Sequence, residues 1–201
     1  LEVGDTIFFI AAPEKAACIY AGQIRNELGS RLDLLEKDAY RFCYINDFPM
    51  YEIDEETGKL GFTHNPFSMP QGGLEALNEK DPLDILAYQY DIVCNGVELS
   101  SGAVRNHDME IMEKAFDIAG YDKETLKDKF GALYNAFQFG APPHAGMAPG
   151  VDRMIMLLRN EENIREIIAF PMSGTAQDLM CGAPNEITEQ QLREVHIKVR
   201  D

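Results

Sequence analysis

Basic residues are scarce in this sequence, and acidic residues outnumber them by nearly two to one. The 201 residues include 18 Lys and Arg against 34 Asp and Glu, which gives a formal net charge of −16. Because nonspecific attraction to nucleic-acid phosphates depends on Lys and Arg, the chain as a whole is not an obvious nucleic-acid-binding module. We expect any strong contact with nucleic acid to come from a local basic surface or from sequence outside this chain.

Cysteine is also scarce. Cys18, Cys43, Cys94 and Cys181 are far apart and form no C-x-x-C pair, which argues against a zinc site and favours reduced cysteines in the cytoplasm. The four histidines lack the spacing of a zinc enzyme. No apolar run approaches the roughly 18 residues of a membrane span, and the N-terminal residues show no signal-peptide pattern. We therefore expect a cytoplasmic protein with no membrane contact.

The length suits one domain of ordinary size, or one domain plus a fragment. With 45% hydrophobic residues the chain has enough apolar surface to bury a core. Because it begins at Leu1 without an initiator Met, we expect a cut or fragmentary chain.

Hydrophobic periodicity and turn signals predict an α+β fold with an antiparallel sheet. Strands are expected over residues 6–10 and 42–47, hairpins over 50–63 and 88–99, and a separate extended piece over 103–105. Residues 65–73 are rich in Pro, Gly and Ser and predict a loop. Helices are expected over residues 13–28, 108–119, 124–139 and 151–158, with a last helix capped by Thr188 and Gln191.

The segment from His144 to Arg153 is the most informative in the chain, because it predicts a Gly-punctuated strand that turns into a helix. Gly146 and Gly150 lack a Cβ, so a flat ligand could lie close to the backbone. The first turn of the helix offers free N–H groups to an anion, and the guanidinium of Arg153 can stack on a base or bind phosphate. The alternative is a Gly-rich corner with a surface arginine.

Asp91 and Glu98 lie on the two arms of the hairpin whose turn is Asn95-Gly96. Two carboxylates on one face of a sheet can bind one hard cation, and Mg²⁺ accepts such a pair when water and phosphates complete its shell. The alternative is that both are solvated strand acids. Their apolar neighbours favour a buried hairpin, where an unpaired carboxylate is costly.

Arg105 follows the small residues Ser100-Ser101-Gly102, which would leave room for a ligand. A guanidinium on an inward face can bind a carboxylate through two hydrogen bonds, and the alternative is an arginine paired with a local acid. His64 could help to order an anionic substrate. A lone histidine near a loop is more often structural, and His144 has the same ambiguity.

Six short segments occur in order along the chain, at residues 48–50, 63–67, 90–98, 101–105, 142–146 and 150–153. Together they resemble the C-terminal part of the catalytic domain of bacterial aspartyl-tRNA synthetases, a class II aminoacyl-tRNA synthetase family. The resemblance covers nearly the whole chain, and residues 167–171 also fit it. It implies that residues 1–40 are the end of the bacterial insertion domain, and that residues 41–201 are the C-terminal portion of the catalytic domain, including motif 3.

The same resemblance implies an aspartate–tRNA ligase activity, in which ATP and Mg²⁺ activate L-aspartate and the product is transferred to tRNA-Asp. No residue is expected to act as nucleophile or base. The implied residues are His64 and Arg105 for aspartate, Asp91 and Glu98 for magnesium, Glu98, Gly150, Val151, Asp152 and Arg153 for ATP, and Asn65, Ser100, Ser101, Gly102 and His144 in support.

Two positions depart from the family pattern. Asn65 stands where many bacterial members have a second histidine, and Ser100-Ser101-Gly102 replaces a triple glycine. We expect altered detail and retained function. Motifs 1 and 2 and the anticodon-binding domain are expected to precede Leu1, so the chain alone is expected to be inactive. The full-length protein is expected to be a homodimer that contacts tRNA mainly through those other parts.

Two other functions compete with this hypothesis. The first is an asparaginyl-tRNA synthetase or a related amide-forming adenylating enzyme. Arg105 disfavours it, because a buried guanidinium opposite a neutral amide would lose its ion pair. The second is a noncatalytic module that binds a nucleotide or a partner protein. The intact Glu98, Arg105 and Arg153 disfavour that hypothesis.

Overall fold

A computed structural model describes residues 1–200, which divide into two compact units, one formed by Leu1–Arg41 and one beginning at Phe42. The first unit contains the helix α1 (Glu14–Arg31), which follows Pro13. The predicted end at Gly29 is wrong, because the helix continues for two more residues and Arg31 pairs with Glu27 one turn earlier at 2.6 Å. The predicted strand over residues 6–10 is also wrong, since these residues are irregular and pair with no other strand.

The second unit is built around a four-stranded antiparallel sheet with the order β1-β4-β5-β6, and a separate two-stranded hairpin pairs β2 with β3. The predicted α+β class and antiparallel sheet are confirmed. The strands are β1 (Phe42–Pro49), β2 (Tyr51–Ile53), β3 (Leu60–Phe62), β4 (Leu86–Cys94), β5 (Val97–Val104) and β6 (Ala145–Pro149).

Five further α-helices lie in this unit, and none of the helices formed by residues 1–200 is long and apolar enough to cross a membrane. Asp108 and Asp122 cap the two longest of the five by accepting hydrogen bonds from first-turn amides. The predicted capping box of Thr188 and Gln191 is confirmed. The helices are α2 (Gly73–Glu79), α3 (Met109–Ile118), α4 (Lys123–Phe137), α5 (Val151–Arg159) and α6 (Glu189–Glu194), with short 3-10 helices at Pro82–Asp84 and Ile164–Glu166.

Local sequence signals predicted the hairpins correctly, but they were wrong about the end of β5 and missed helix α2. Asn95 and Gly96 both have positive φ, at 49° and 81°, as a tight two-residue hairpin turn requires. The separate extended piece predicted after this hairpin is wrong, because β5 runs unbroken to Val104 and pairs with strands on both sides. Helix α2 was not predicted, since Gly72-Gly73 marks a loop in sequence and here begins a helix.

The core lies where the β2–β3 hairpin meets α2, α3 and α4. Tyr51 is buried there and its hydroxyl donates to the carbonyl oxygen of Ala115 at 2.9 Å. Burial raises the pKa of this phenol well above its ordinary value. Phe116 is also buried, and its ring packs against Phe62 and Phe67 with centroids 4.9 and 5.5 Å apart. This aromatic packing joins α3 to the β2–β3 hairpin and to the loop that contains Phe67.

Gly102 is closely surrounded by neighbouring strands of the sheet. The ring of Tyr90 lies against it, and the Tyr90 hydroxyl donates to the carbonyl oxygen of Gly146 at 2.9 Å. A Cβ at position 102 would overlap that carbonyl oxygen and come within 2.5 Å of a Tyr90 ring carbon. Only glycine therefore permits β4, β5 and β6 to be joined in this way.

We predict that Gly102→Ala lowers the free energy of unfolding by about 1–3 kcal/mol, the usual cost of overpacking. The added methyl group must displace either backbone or a packed ring. Chemical denaturation of the variant measures the change. Gly61→Ala is the matched control, because a Cβ at that strand position meets nothing within 4 Å. Equal stability of the two variants would contradict the prediction.

Candidate functional site

A cavity of about 440 Å³ lies over β4, β5 and β6 and brings together many of the residues singled out in the sequence. The predicted residues that line it come from the turn after β3, from both arms of the long hairpin and from the end of β5. These residues are His64, Asn65, Asp91, Glu98, Ser101, Gly102 and Arg105, and the cavity is completed by Gln89, Gly146, Met147 and Ala148.

The register of the β4–β5 pair explains why these side chains share one face. Asp91 lies opposite Ser101, and Gln89 lies opposite Ala103. Because alternate residues of a strand face the same side, Gln89 and Asp91 of β4 face the cavity together. Arg105 continues the same alternation two residues beyond Ala103, so it reaches the cavity from the end of β5.

Strand β6 contributes small residues to the cavity floor. Ala148 lies opposite Ser101, and Gly146 lies opposite Ala103. A Cβ on Gly146 would meet nothing within 4 Å. The backbone is therefore uncovered at this point, so a ligand could approach it closely.

A β-bulge in β5 places Glu98 on the cavity face. Ile92 lies opposite Ser100, but the next residue, Val93, lies opposite Glu98, so Leu99 is an extra residue on β5. Strict alternation would put Glu98 and Ser101 on opposite faces, because they are three residues apart. The bulge cancels this difference. Glu98 and Asp91 thus reach the same cavity from the two arms of the hairpin, and they are not directly opposite each other.

The acidic pair affects its own ionisation. Partial burial raises the pKa of Asp91, and the nearby negative charge of Glu98 raises it further, while His64 acts in the opposite direction. A cation between the two carboxylates would relieve this repulsion. No group of three or more His, Cys, Asp or Glu within residues 1–200 could hold a metal ion alone. Two carboxylates are a donor set that a magnesium ion accepts when water and other oxygen ligands complete its shell.

Arg105 provides the positive charge of the cavity. It is half-buried, and its backbone N–H donates to the carbonyl oxygen of His144 at 2.9 Å, which anchors the end of β5. Within the described residues no carboxylate lies within 4.0 Å of its guanidinium, so the pairing with a local acid considered above is not observed. A half-buried guanidinium without an acid suits an anionic ligand.

His64 and Asn65 form a turn at the rim of the cavity. The Asn65 side-chain oxygen accepts from the backbone N–H of Phe67 at 2.9 Å, which fixes the turn locally. His64 is exposed and packs edge-on against Phe48, with ring centroids 5.0 Å apart. The hydrogen bond of Asn65 therefore orders the turn, while the exposed imidazole of His64 lies at the mouth of the cavity.

The segment from Gly150 to Arg153 lies beside the cavity and does not line it. Gly150 donates its N–H to the carbonyl oxygen of Leu99, the bulge residue, at 2.7 Å. Nη1 of Arg153 donates to the backbone oxygen of Glu98 at 2.7 Å and lies 3.4 Å from its carboxylate oxygen Oε1. Because both side chains are about half exposed, this pair contributes little to stability. It does hold Arg153 next to the acidic end of the cavity.

Two predicted supporting residues lie elsewhere. Ser100 is buried on the far side of the bulge, and its hydroxyl has no hydrogen-bond partner. His144 lines a neighbouring cavity with Phe67, where its Nδ1 lies 2.8 Å from the carbonyl oxygen of Pro142. Neither residue lines the cavity over β4, β5 and β6.

Gln89 is a site residue that the sequence did not reveal. It is only 6% exposed, and it stands between Tyr88 and Tyr90 in an apolar strand. A polar residue at an inward strand position was the available signal, because a buried amide needs a hydrogen-bond partner. Met147 and Ala148 also line the cavity and gave no signal, since apolar residues are ordinary in a strand.

A family model and individual relatives both assign the chain to the same family. A family model described as tRNA synthetases class II (D, K and N) matches residues 13–174. An aspartate–tRNA(Asp/Asn) ligase of Zymomonas mobilis is 60% identical over 99% of the chain, and an aspartate–tRNA ligase of Streptomyces coelicolor is 61% identical over all of it. The chain spans about a third of these relatives' length, 33% and 34% respectively.

A solved structure shows the same relationship. The aspartyl-tRNA synthetase of Entamoeba histolytica is 26% identical to this chain, with a TM-score of 0.50. The similarity covers 87% of this chain and 29% of that protein. The resemblance inferred from the six sequence segments is thereby confirmed, whereas the roles of individual residues stay predictions.

We predict that Asp91→Asn raises the thermal midpoint of unfolding at neutral pH. The pKa of Asp91 is raised in the folded chain, so its charged form destabilises the fold above that pKa. This cost disappears as the pH falls toward the ordinary value of 3.8. The gain from Asp91→Asn should therefore shrink in acid. Glu52→Gln, at an exposed strand position, is the control. A gain that grows as the pH falls would contradict this assignment.

Proposed function

This chain belongs to the class II tRNA synthetases of the D, K and N group, and from that membership we propose that it carries part of the aspartate and ATP site of an aspartate–tRNA ligase. In the proposed reaction an aspartate carboxylate oxygen bonds to the α-phosphorus of ATP, and the bond to pyrophosphate breaks. The terminal ribose hydroxyl of tRNA-Asp then takes the aspartyl group from the adenylate, and AMP leaves.

The observation that carries this proposal is the separation of charge within one cavity. Arg105 lies at one end without an acidic partner among the described residues, and the carboxylates of Asp91 and Glu98 lie toward the other. Aspartate would place its side-chain carboxylate on Arg105. Its α-carboxylate would then point toward the acidic end, where the phosphates of ATP would bind.

Asp91 and Glu98 would hold Mg²⁺, which when bound neutralises charge on the ATP phosphates. Arg153 is already fixed beside Glu98 by its hydrogen bond to the Glu98 carbonyl. From there its guanidinium could stack on adenine or reach a phosphate. Gly150 is the N-cap of α5, and Val151 and Asp152 are its first residues. The N–H groups of a helix's first turn favour a negatively charged ligand, although the N–H of Gly150 itself is bonded to Leu99.

The residues of the cavity would accelerate the reaction by position and charge. The attacking carboxylate belongs to the substrate, so no protein nucleophile or base is required. Arg105 orients the amino acid, and the small residues of the floor allow it to lie against the sheet. Exposed His64, on a turn ordered by Asn65, would close over the bound amino acid. Correct placement of two reactants is itself a large part of such a barrier.

Membership of the family also supports proposals about localisation, oligomeric state and tRNA binding. We propose that the full-length protein acts in the cytoplasm as a homodimer, and that tRNA-Asp contacts it mainly outside this chain. The net charge of −16 agrees with this division, because the described units offer little general attraction for nucleic-acid phosphates. The predicted insertion-domain identity of residues 1–40 belongs to the same proposal.

We predict that Arg105→Leu lowers the affinity for a nonhydrolysable aspartyl-adenylate analogue by about 100-fold, because one partner of a buried charge pair is lost. Isothermal titration calorimetry with magnesium present measures this change. Arg159→Leu, an exposed arginine at the end of α5, is the matched control and should bind normally. Unchanged binding by Arg105→Leu, or a preference of the unmodified chain for the asparaginyl analogue, would overturn the proposed function.

We also predict that Gly146→Val abolishes binding of this analogue without lowering the thermal midpoint. The new side chain would enter open space over the cavity floor, and valine is well suited to a strand. Gly61→Val makes the same change in β3, away from the cavity, and should retain binding. Calorimetry and thermal unfolding of both variants test the idea. A folded Gly146→Val protein with normal affinity would place the ligand elsewhere.

A further inference from the structure

Gln89 is a nearly buried polar side chain at the base of the cavity. Only 6% of its surface is exposed, and that surface lines the cavity together with Asp91 and Arg105. Removing an amide from water is unfavourable unless hydrogen bonds replace the lost water. Its sequence neighbours are Tyr88 and Tyr90, and Ala103 lies opposite it on β5, so packing against these residues does not require an amide.

The protein satisfies only part of the hydrogen-bonding capacity of the Gln89 amide. A glutamine side chain offers two N–H donors and an oxygen with two acceptor sites. Within residues 1–200 the amide of Gln89 makes one hydrogen bond, from Nε2 to the backbone oxygen of Asn65, at a long 3.5 Å. That oxygen also accepts from the N–H of Ser68 at 3.2 Å. One N–H and the carbonyl oxygen of Gln89 are left for the cavity.

The strand register places this amide beside Arg105. Gln89 lies opposite Ala103, and Arg105 follows Ala103 by two residues on the same face. Diagonal neighbours of this kind lie within reach of long side chains. Ala103, the residue opposite Gln89, is small and buried. Gln89 therefore belongs to the same end of the cavity as Arg105.

We propose that Gln89 is a specificity-determining residue, whose unused amide N–H donates to the same side-chain carboxylate that Arg105 binds. This inference rests on the proposed function, because it takes the ligand to be an amino acid with an anionic side chain. A carboxylate has acceptor sites enough for both donors. The amide of asparagine has one oxygen, and its NH₂ group would face donors on both sides.

The neutrality of Gln89 is part of this selectivity. An acidic residue at the same position would pair with Arg105 and would repel a carboxylate ligand. A glutamine donates a hydrogen bond without neutralising the guanidinium. Arg105 and Gln89 would thus favour aspartate over asparagine jointly, through charge and through the direction of the hydrogen bonds.

Two near-isosteric variants separate this role from a purely structural one. Gln89→Met removes the donor, and Gln89→Glu replaces the amide with a carboxylate. With calorimetry we expect Gln89→Met to weaken the aspartyl-adenylate analogue about tenfold, as for loss of one charge-assisted hydrogen bond, and to weaken the asparaginyl analogue less. Gln89→Glu should shift the ratio of the two affinities further toward the asparaginyl form. Gln138→Met, an exposed control, should alter neither.

A second measurement uses the unmodified chain and does not depend on how the variants fold. The side-chain ¹⁵NH₂ signals of Gln89 should shift when the aspartyl analogue binds. Equal losses for both analogues, or Gln89 signals that stay unmoved in the bound chain, would overturn this inference and leave the proposed function intact. If the unmodified chain binds neither analogue, the proposed function fails, and the inference fails with it.

Discussion

The antiparallel pairing of β4 with β5, with one extra residue on β5, is the constraint on which the rest of the site depends. Without the bulge at Leu99, Glu98 and Ser101 would face opposite sides of the sheet. The same residue accepts the hydrogen bond of Gly150 and so ties the start of α5 to the sheet. One irregularity therefore brings an acid onto the cavity face and places Arg153 beside it.

The cavity is electrostatically incomplete within the described chain. Partial burial and the nearby charge of Glu98 both raise the pKa of Asp91, and among residues 1–200 no carboxylate lies within 4.0 Å of the Arg105 guanidinium. A ligand and a cation of opposite charge would be favoured beside these side chains. The amide of Gln89 belongs to the same pattern, because its unused hydrogen-bonding groups also open into the cavity.

Much of the fold followed from local signals. The Asn95-Gly96 turn, the capping box of Thr188 and Gln191 and the strand–helix junction at Gly150 each depend on residues close in sequence, and each was predicted. Prediction was wrong where the formation of a strand depends on whether a neighbouring strand is present. Residues 6–10 have strand composition but no neighbouring strand to pair with, and Ser100 to Val104 form a strand because β4 and β6 flank them.

The candidate site divides in the same way. The sequence by itself determined the family, the chemical types of Asp91, Glu98 and Arg105, and their order along a hairpin, because short motifs preserve residue identity and spacing. Only the tertiary structure decided that Ser100 turns away, that Glu98 turns in and that Gln89 is buried beside Arg105. These outcomes depend on a one-residue shift in strand register and on contacts between distant segments. A periodic pattern cannot specify either, because the direction of every side chain changes when one residue is added to a strand.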